Sequence, residues 1–119
     1  FKKINYTRGI LIALNNIGTI YSDYYHDLEE ALNYFIKVRN LGEKYNLING
    51  EMLGLINIAS IHYVKLNYDK AYKHFKIALE KSLDLDNRDM IFYLYISLID
   101  LCVDMDNYYE AYNYYKLSE

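Results

Sequence analysis

A pattern that returns every forty residues constrains this chain more than any other feature. Ala31, Ala71 and Ala111 are each 40 residues apart. Similar sequences surround all three: DLEEALNYFIKV, NYDKAYKHFKIALE and NYYEAYNYYKLS. Repetition at a fixed period of this length is typical of proteins that stack one supersecondary unit on the next. The repeat therefore predicts an array of similar units.

Each unit reads as two helices. The 119 residues include no proline and only five glycines, so helix breakers are few. Apolar residues recur at three- and four-residue intervals, which is the stripe of an amphipathic helix. The inward positions of the first helices are Leu14, Ile17, Gly18, Tyr21; Leu55, Ile58, Ala59, His62; and Tyr95, Leu98, Ile99, Cys102. Those of the second helices are Leu28, Ala31, Phe35, Val38; Tyr68, Ala71, Phe75, Ala78; and Tyr108, Ala111, Tyr115.

Composition and charge exclude several classes of protein. Hydrophobic residues make up 53% of the chain, enough for a real core, and the formal net charge is −3 with both signs interspersed. A phosphate-binding footprint is missing from this pattern, so we expect no nucleic-acid partner. The longest apolar run, MIFYLYISLI at 90–99, is shorter than the roughly 20 residues of a membrane-spanning helix, and we expect no membrane partner. The single cysteine, Cys102, weakly favours a reducing compartment.

Three segments carry a family resemblance. Each pairs one residue of a first helix with an Ala-x3-aromatic pattern in the second: Gly18 with Ala31-x3-Phe35, Ala59 with Ala71-x3-Phe75, and Ile99 with Ala111-x3-Tyr115. These segments resemble tetratricopeptide repeats, and the resemblance covers essentially the whole chain. It implies an all-α fold: a right-handed α-solenoid of antiparallel helix pairs, with about three repeats and six helices plus an N-terminal helix stub. The period of 40 exceeds the usual 34 and lies in the range of HEAT and armadillo repeats, which remain the alternative fold.

The resemblance also implies how the chain is divided. It predicts a single domain over 1–119, with residues 1–6 as the tail of a preceding repeat, followed by repeats at 7–47, 48–86 and 87–119. The first turn should hold one extra residue, because Gly18 to Ala31 is 13 residues whereas Ala59 to Ala71 is 12. Phe1 is not a methionine and neither end resembles a polar cap, so we expect a piece of a longer protein.

The residues provide no constellation for catalysis. His62 aligns with Tyr21 and Cys102 and is interpreted as a core side chain, and His26 falls in a turn. The histidines lack metal-ligand spacing, and Cys102 has no obvious activating neighbour. The Asp and Asn residues of DLDNRD and DMDNYYE are better explained as helix caps than as calcium ligands. We therefore expect no enzyme activity, no cofactor and no metal.

What remains is a binding surface. In tetratricopeptide repeats the first helices line a concave groove, and the resemblance places these residues in it: Ile12, Asn15, Asn16, Thr19, Ser22, Leu53, Ile56, Asn57, Ser60, Tyr63, Tyr93, Ile96, Ser97 and Asp100. Asn side chains donate and accept hydrogen bonds together, which suits the backbone of an extended peptide. The list contains no Lys or Arg, which disfavours the carboxylate clamp of the family's chaperone-binding members.

The resemblance extends to function. Long-period repeats of this kind resemble those of bacterial peptide-pheromone receptors of the Rap and PlcR type, and the sensory regions that precede diguanylate cyclase, histidine kinase or transcription-activator domains. We expect a cytoplasmic module that binds a peptide or protein segment in its groove. The alternative is a structural scaffold or homo-oligomer without a peptide ligand, assembled through exposed tyrosines such as Tyr24, Tyr25, Tyr109 and Tyr114.

Overall fold

A computed structural model of the chain describes residues 2–119, and helices account for nearly all of them. In chain order they are α1 (Lys2–Asp23), α2 (Leu28–Lys44), α3 (Ile48–Val64), α4 (Tyr68–Asp84), α5 (Arg88–Asp104) and α6 (Tyr108–Ser118). No β-strand occurs within residues 2–119. The predicted all-α class and the six helices are confirmed, and neighbouring helices pack in sequence as in a helical repeat.

A left-handed residue ends each of the first five helices, and these residues are spaced every 20 positions. They are His26, Asn46, Leu66, Asp86 and Asp106, with φ between 52° and 65°. Four of the turns share one hydrogen-bond pattern: after α2, Leu47 N–H donates to the Gly42 carbonyl at 2.8 Å, and Asn46 N–H donates to the Glu43 carbonyl. This is the Schellman arrangement, which satisfies the last carbonyls of a helix and reverses the chain. The forty-residue unit is thus two helix-and-turn halves of equal length.

The turn between α1 and α2 contains the extra residue that the spacing predicts. It spans four residues, 24–27, whereas each of the other turns spans three. The closing hydrogen bond reflects this, because Asp27 N–H reaches back six residues to the Tyr21 carbonyl instead of five. The insertion is absorbed entirely in the turn, so the inward stripe of α2 keeps its register.

Side-chain caps begin three of the helices, as the Asp and Asn residues of the turns predict. Asp27 Oδ1 accepts a hydrogen bond from Glu30 N–H, Asn87 Oδ1 from Met90 N–H, and Asn107 Oδ1 from Glu110 N–H. Each cap satisfies one backbone donor that the helix cannot satisfy itself, and such a cap stabilises a protein by about 1 kcal/mol. The capping interpretation of these residues is confirmed.

By its contacts the chain divides into two compact units, residues 1–61 and 62–119, with the division inside α3. In the first unit α1 packs on α2, and a cluster of Ala31, Phe35, Ile58 and Ile61 forms the core. Gly18 lies against the Phe35 ring, and a Cβ on that glycine would be 2.7 Å from the ring. The aromatic ring of α2 therefore packs directly on the small residue of α1.

The second unit packs α4 on α5 and α5 on α6. The inward residues Leu98 and Cys102 of α5 and Ala71, Phe75 and Ala78 of α4 are all buried. His62 is also buried, with its ring 5.7 Å from that of His74, which confirms its prediction as a core side chain. Burial raises the pKa of the Cys102 thiol, with a smaller contribution from the Glu110 carboxylate, so the thiol is a packing group.

The prediction for the third aromatic position is wrong. Tyr115 was expected to point inward and Tyr114 to be exposed, but Tyr114 is 6% exposed and Tyr115 is 51% exposed. Tyr114 lies against the Tyr95 ring, and its hydroxyl forms a 2.7 Å hydrogen bond with that of Tyr72. The equivalent of Tyr115 in the first unit, Phe35, is covered by α3, whereas no helix follows α6 in the described residues to cover Tyr115.

The expected N-terminal helix stub does not form separately. Residues 2–6 are the first turns of α1, which runs unbroken to Asp23, while Phe1 lies outside the described residues. In the aligned segment α2 ends at Lys44, and the left-handed residue Asn46 follows it. Asn5, which aligns with Asn46, instead lies inside α1, so the turn that the alignment predicts is absent there.

Leu66 offers a direct test of the left-handed turns. It has φ of 65° and is 68% exposed, so its side chain gains little from packing while its Cβ opposes the backbone conformation. A left-handed residue with a side chain costs about 1–2 kcal/mol, and glycine removes this cost against a smaller entropic penalty. We expect Leu66→Gly to raise the free energy of unfolding by about 0.5–1 kcal/mol, measured by urea denaturation followed by circular dichroism.

Leu85 provides the matched control for this substitution. It is an exposed leucine at a helix end with φ of −86°, so glycine relieves no strain there. Leu85→Gly should leave stability unchanged or reduce it. Equal losses in both variants would show that the turn at Leu66 is not strained.

Candidate functional site

In the first unit, the predicted groove positions come from α1 and α3. Ile12 is 62% exposed and Leu53 is 38% exposed, so both present apolar surface to solvent. Asn16 is exposed, while Asn15, Thr19, Ser22, Asn57 and Ser60 are half-buried. Ile56 differs from the others, because it is 6% exposed and belongs to the core. A ligand on this face would therefore meet Ile12, Leu53 and polar groups, with little access to Ile56.

A hydrogen bond joins two of the predicted positions across the helices. Asn57 Nδ2 donates to Asn15 Oδ1 at 2.6 Å, which ties α3 to α1. The bond leaves one further N–H on Asn57 and a complete amide NH₂ on Asn15 for other partners. Asn16, the exposed neighbour, carries the most accessible amide on this face.

The hydroxyl groups of this face use their protons within their own helices. Thr19 Oγ1 donates to the Asn15 carbonyl at 3.0 Å, and Ser60 Oγ donates to the Ile56 carbonyl at 3.0 Å. A hydroxyl that donates in this way keeps its oxygen lone pairs as acceptors. The face therefore presents hydroxyl acceptors beside amides that both donate and accept, a combination that can bind peptide N–H and C=O groups.

A pocket of about 440 Å³ opens in the first unit beside these residues. We call it the Arg8 pocket, and its lining is Arg8, Leu11, Ile12, Asn46, Leu47, Ile48, Asn49, Gly50 and Leu53. Two predicted groove residues, Ile12 and Leu53, are part of this lining. Gly50 allows the close approach of α1, since a Cβ there would lie 2.7 Å from Leu11 Cδ1. The volume is within the range of small-molecule sites.

In the second unit the predicted positions are Tyr63, Tyr93, Ile96, Ser97 and Asp100. Tyr93, Ile96 and Asp100 are exposed, and Ser97 Oγ donates to the Tyr93 carbonyl at 3.0 Å. Tyr63 donates a hydrogen bond to the Asp104 carboxylate. Burial, and next this hydrogen bond, raise the pKa of the Tyr63 phenol, so it stays a neutral donor at neutral pH. These positions are more acidic and more aromatic than those of the first unit.

Sequence reasoning missed Arg8 and the turn residues of the pocket. The groove positions were taken from residues that flank the inward face of the first helices, which omits the α2–α3 turn at 45–47 and the residue one turn before Ile12. A signal was present, because Arg8 is the only Lys or Arg between Lys3 and Lys37. The importance of Arg8 could be recognised only once the structure showed the pocket beside it.

Within residues 2–119 no three His, Cys, Asp or Glu side chains lie close enough together to hold a metal ion. None of the six described helices combines the length and the apolar character needed to cross a bilayer. Fold and surface together define an all-α helical repeat protein. The chain matches no protein-family model and no curated protein.

Proposed function

We propose that this chain is a non-catalytic peptide- or protein-binding module of the tetratricopeptide type, with its repeats wound as a right-handed solenoid. The observation that carries the proposal is the surface of α1 and α3, where exposed amide and aliphatic side chains adjoin a 440 Å³ pocket. Extended peptides need hydrogen-bond partners for their backbone and apolar contacts for their side chains. This surface offers both within one compact unit.

The internal architecture supports the family assignment. The small residue Gly18 contacts the aromatic Phe35. Hydrogen bonds also join helices that are next but one along the chain: Asn15 of α1 with Asn57 of α3, and Tyr72 of α4 with Tyr114 of α6. These bonds join residues 42 positions apart, which is close to the repeat period. Such links between equivalent helices are what a stack of similar helix pairs requires.

The wider role rests on the resemblance. We place the module in a larger bacterial regulatory protein of the cytoplasm, where occupancy of the groove is passed to an attached effector domain. Contacts between neighbouring repeats make this physically reasonable, because small changes at each contact add up along the stack. The analogy is to a class of proteins, and the ligand must be found by experiment.

The test is capture of peptides from the source cytoplasm by the immobilised chain, with bound species identified by mass spectrometry. Asn16→Ala removes an exposed amide from the proposed surface, and Asn33→Ala removes an exposed amide from α2. Loss of one hydrogen bond is worth about 1 kcal/mol, so we expect Asn16→Ala to bind a captured peptide about fivefold more weakly. Asn33→Ala should bind as the parent does.

Asn57→Ala extends the test, and it is also expected to reduce the stability of the fold. Because Asn57 donates to Asn15, its removal should lower the free energy of unfolding by about 1 kcal/mol in addition to weakening the peptide. Equal capture by the parent, Asn16→Ala and the Asn16→Ala/Asn57→Ala double variant would contradict a ligand on this face.

A second candidate is assembly of this chain with itself. Tyr24, Tyr25 and Tyr109 are exposed, as the scaffold hypothesis expects, although the buried Tyr114 cannot contribute. Exposed tyrosines are enriched at protein interfaces. A mass that rises with concentration in light scattering, and falls in Tyr25→Ser/Tyr109→Ser, would favour this alternative over the peptide receptor.

A further inference from the structure

The side chains that line the Arg8 pocket restrict which residues the proposed peptide must contain. Leu11 and Ile12 of α1 face Leu47, Ile48 and Leu53 of the α2–α3 segment across the pocket, so most of its lining is aliphatic. Burial of an aliphatic side chain in such a site is worth roughly 1.5–3 kcal/mol. The pocket thus favours a Leu, Ile, Val or Met side chain.

Arg8 adds a positive charge to this aliphatic surface. Among the described residues it is the only charged one in the lining, which there contains no Asp and no Glu. Arg8 is exposed, and it forms no ion pair with a carboxylate in residues 2–119; Arg39, by contrast, pairs with Glu43 at 3.0 Å. A guanidinium has five donors in a planar fork that matches a carboxylate, and an apolar surrounding strengthens that pairing.

The amides beside Arg8 favour a peptide over a free fatty or aromatic acid. Asn46 and Asn49 belong to the same lining, and Asn16 is exposed two turns along α1 from Arg8. Amides at the pocket and beyond it can bind the backbone of a chain that enters and leaves. If the peptide continues past the pocket, the carboxylate that meets Arg8 belongs to an Asp or Glu side chain. A C-terminal carboxylate could meet Arg8 only if the peptide ended at the pocket.

We propose that the Arg8 pocket receives an aliphatic side chain of a bound peptide, and that Arg8 pairs with an acidic side chain, Asp or Glu, adjacent to it. The inference rests on the proposed peptide-binding function and specifies the ligand of the same surface. It makes the module selective for an acidic–aliphatic segment, with the aliphatic residue contributing affinity and the carboxylate contributing selectivity and rate of association.

The experiment selects peptides from a random-sequence phage-displayed library on the intact chain. Enriched peptides are synthesised with amidated C-termini, so that a terminal carboxylate cannot contribute, and their affinities are measured by fluorescence polarisation. We expect the enriched set to share Asp or Glu beside an aliphatic residue. We also expect Arg8→Glu to weaken binding by about tenfold or more, with less effect at high salt.

Two variants separate the pocket from general electrostatics. Lys73→Glu makes the same change in net charge at an exposed position of α4 outside the pocket lining, and its affinity should equal that of the parent. Ile12→Asn replaces an exposed aliphatic residue of the lining and should relax the preference for aliphatic side chains. Selection on Arg8→Glu should enrich Lys or Arg where the parent enriches Asp or Glu.

The outcomes that overturn the inference differ from those that overturn the function. Enriched peptides without acidic residues, or equal affinities for Arg8→Glu and Lys73→Glu, would refute the Arg8 pairing while leaving peptide binding intact. Enriched peptides that bind only when they are synthesised again with a free C-terminal carboxylate would also refute the side-chain assignment. Failure of the folded parent chain to enrich any peptide would refute peptide binding itself. Circular dichroism of each variant confirms that it is folded.

Discussion

Phe35→Ala is expected to lower the free energy of unfolding by about 3–5 kcal/mol. Phe35 is 4% exposed and lies in the core cluster with Ala31, Ile58 and Ile61, where Tyr21 and Leu28 also pack. Removing the ring takes away its burial energy and leaves a cavity between α1, α2 and α3 that rigid helices fill only in part. Urea denaturation monitored by circular dichroism at 222 nm, the standard helix band, measures the loss.

The matched comparison is Tyr115→Ala, which truncates the aromatic at the equivalent position of the third repeat. Tyr115 is 51% exposed, so its removal should cost less than about 1 kcal/mol. Sequence alignment alone treats the two positions alike, and only burial separates them. Similar losses for the two variants would contradict the packing described for Phe35.

Gly54→Ala is expected to destabilise the first unit by about 3 kcal/mol, even though alanine is the better helix former. A Cβ at Gly54 would lie 2.6 Å from the Arg39 backbone nitrogen and 2.7 Å from its Cα. These are atoms of the α2 backbone and cannot rotate away, so α2 and α3 must separate. Gly42→Ala should act in the same way, since its Cβ would overlap the Glu51 backbone nitrogen of α3.

Gly9→Ala is the control for the higher intrinsic helix propensity of alanine over glycine. Gly9 lies within α1, is exposed, and a Cβ there would meet no atom within 4 Å. The substitution should therefore raise the free energy of unfolding by about 0.5–1 kcal/mol. Opposite signs at Gly54 and Gly9 would establish that close approach of the helices, and not flexibility, determines the glycine at 54. A stabilising Gly54→Ala would contradict the contact.

The contacts that hold α1 and α3 together also form the surface that is proposed to bind peptide. Polar bonds such as Asn15 with Asn57 align α1 with α3, and the same alignment brings Ile12 and Leu53 to one pocket. Because the bonded amides lie on the face that is proposed to bind peptide, a ligand that competes for them would also alter the contact between helices. This offers a direct route from peptide binding to a change within the unit.

The local features of the fold followed from the sequence because they depend on neighbours along the chain. The forty-residue spacing, the scarcity of breakers and the Asp and Asn residues of two turns predicted six helices, the caps at Asn87 and Asn107, and one longer turn. The burial of Phe35, Phe75 and His62 followed from periodicity, since an amphipathic stripe identifies the inward face of a helix wherever the helix packs.

Contacts between distant residues were decided only by the tertiary structure. Whether Tyr114 or Tyr115 is buried depends on which helix covers α6, and the tight approach at Gly54 depends on the backbone of α2. The Arg8 pocket combines α1 with the α2–α3 segment some forty residues later. By itself the sequence determined the helices and most of their inward faces, because these are set by local spacing, although Ile17, Tyr108 and Tyr115 of the predicted stripes are exposed. The packing partners and the pocket arose only when the helices met, because steric fit across the chain has no local signature.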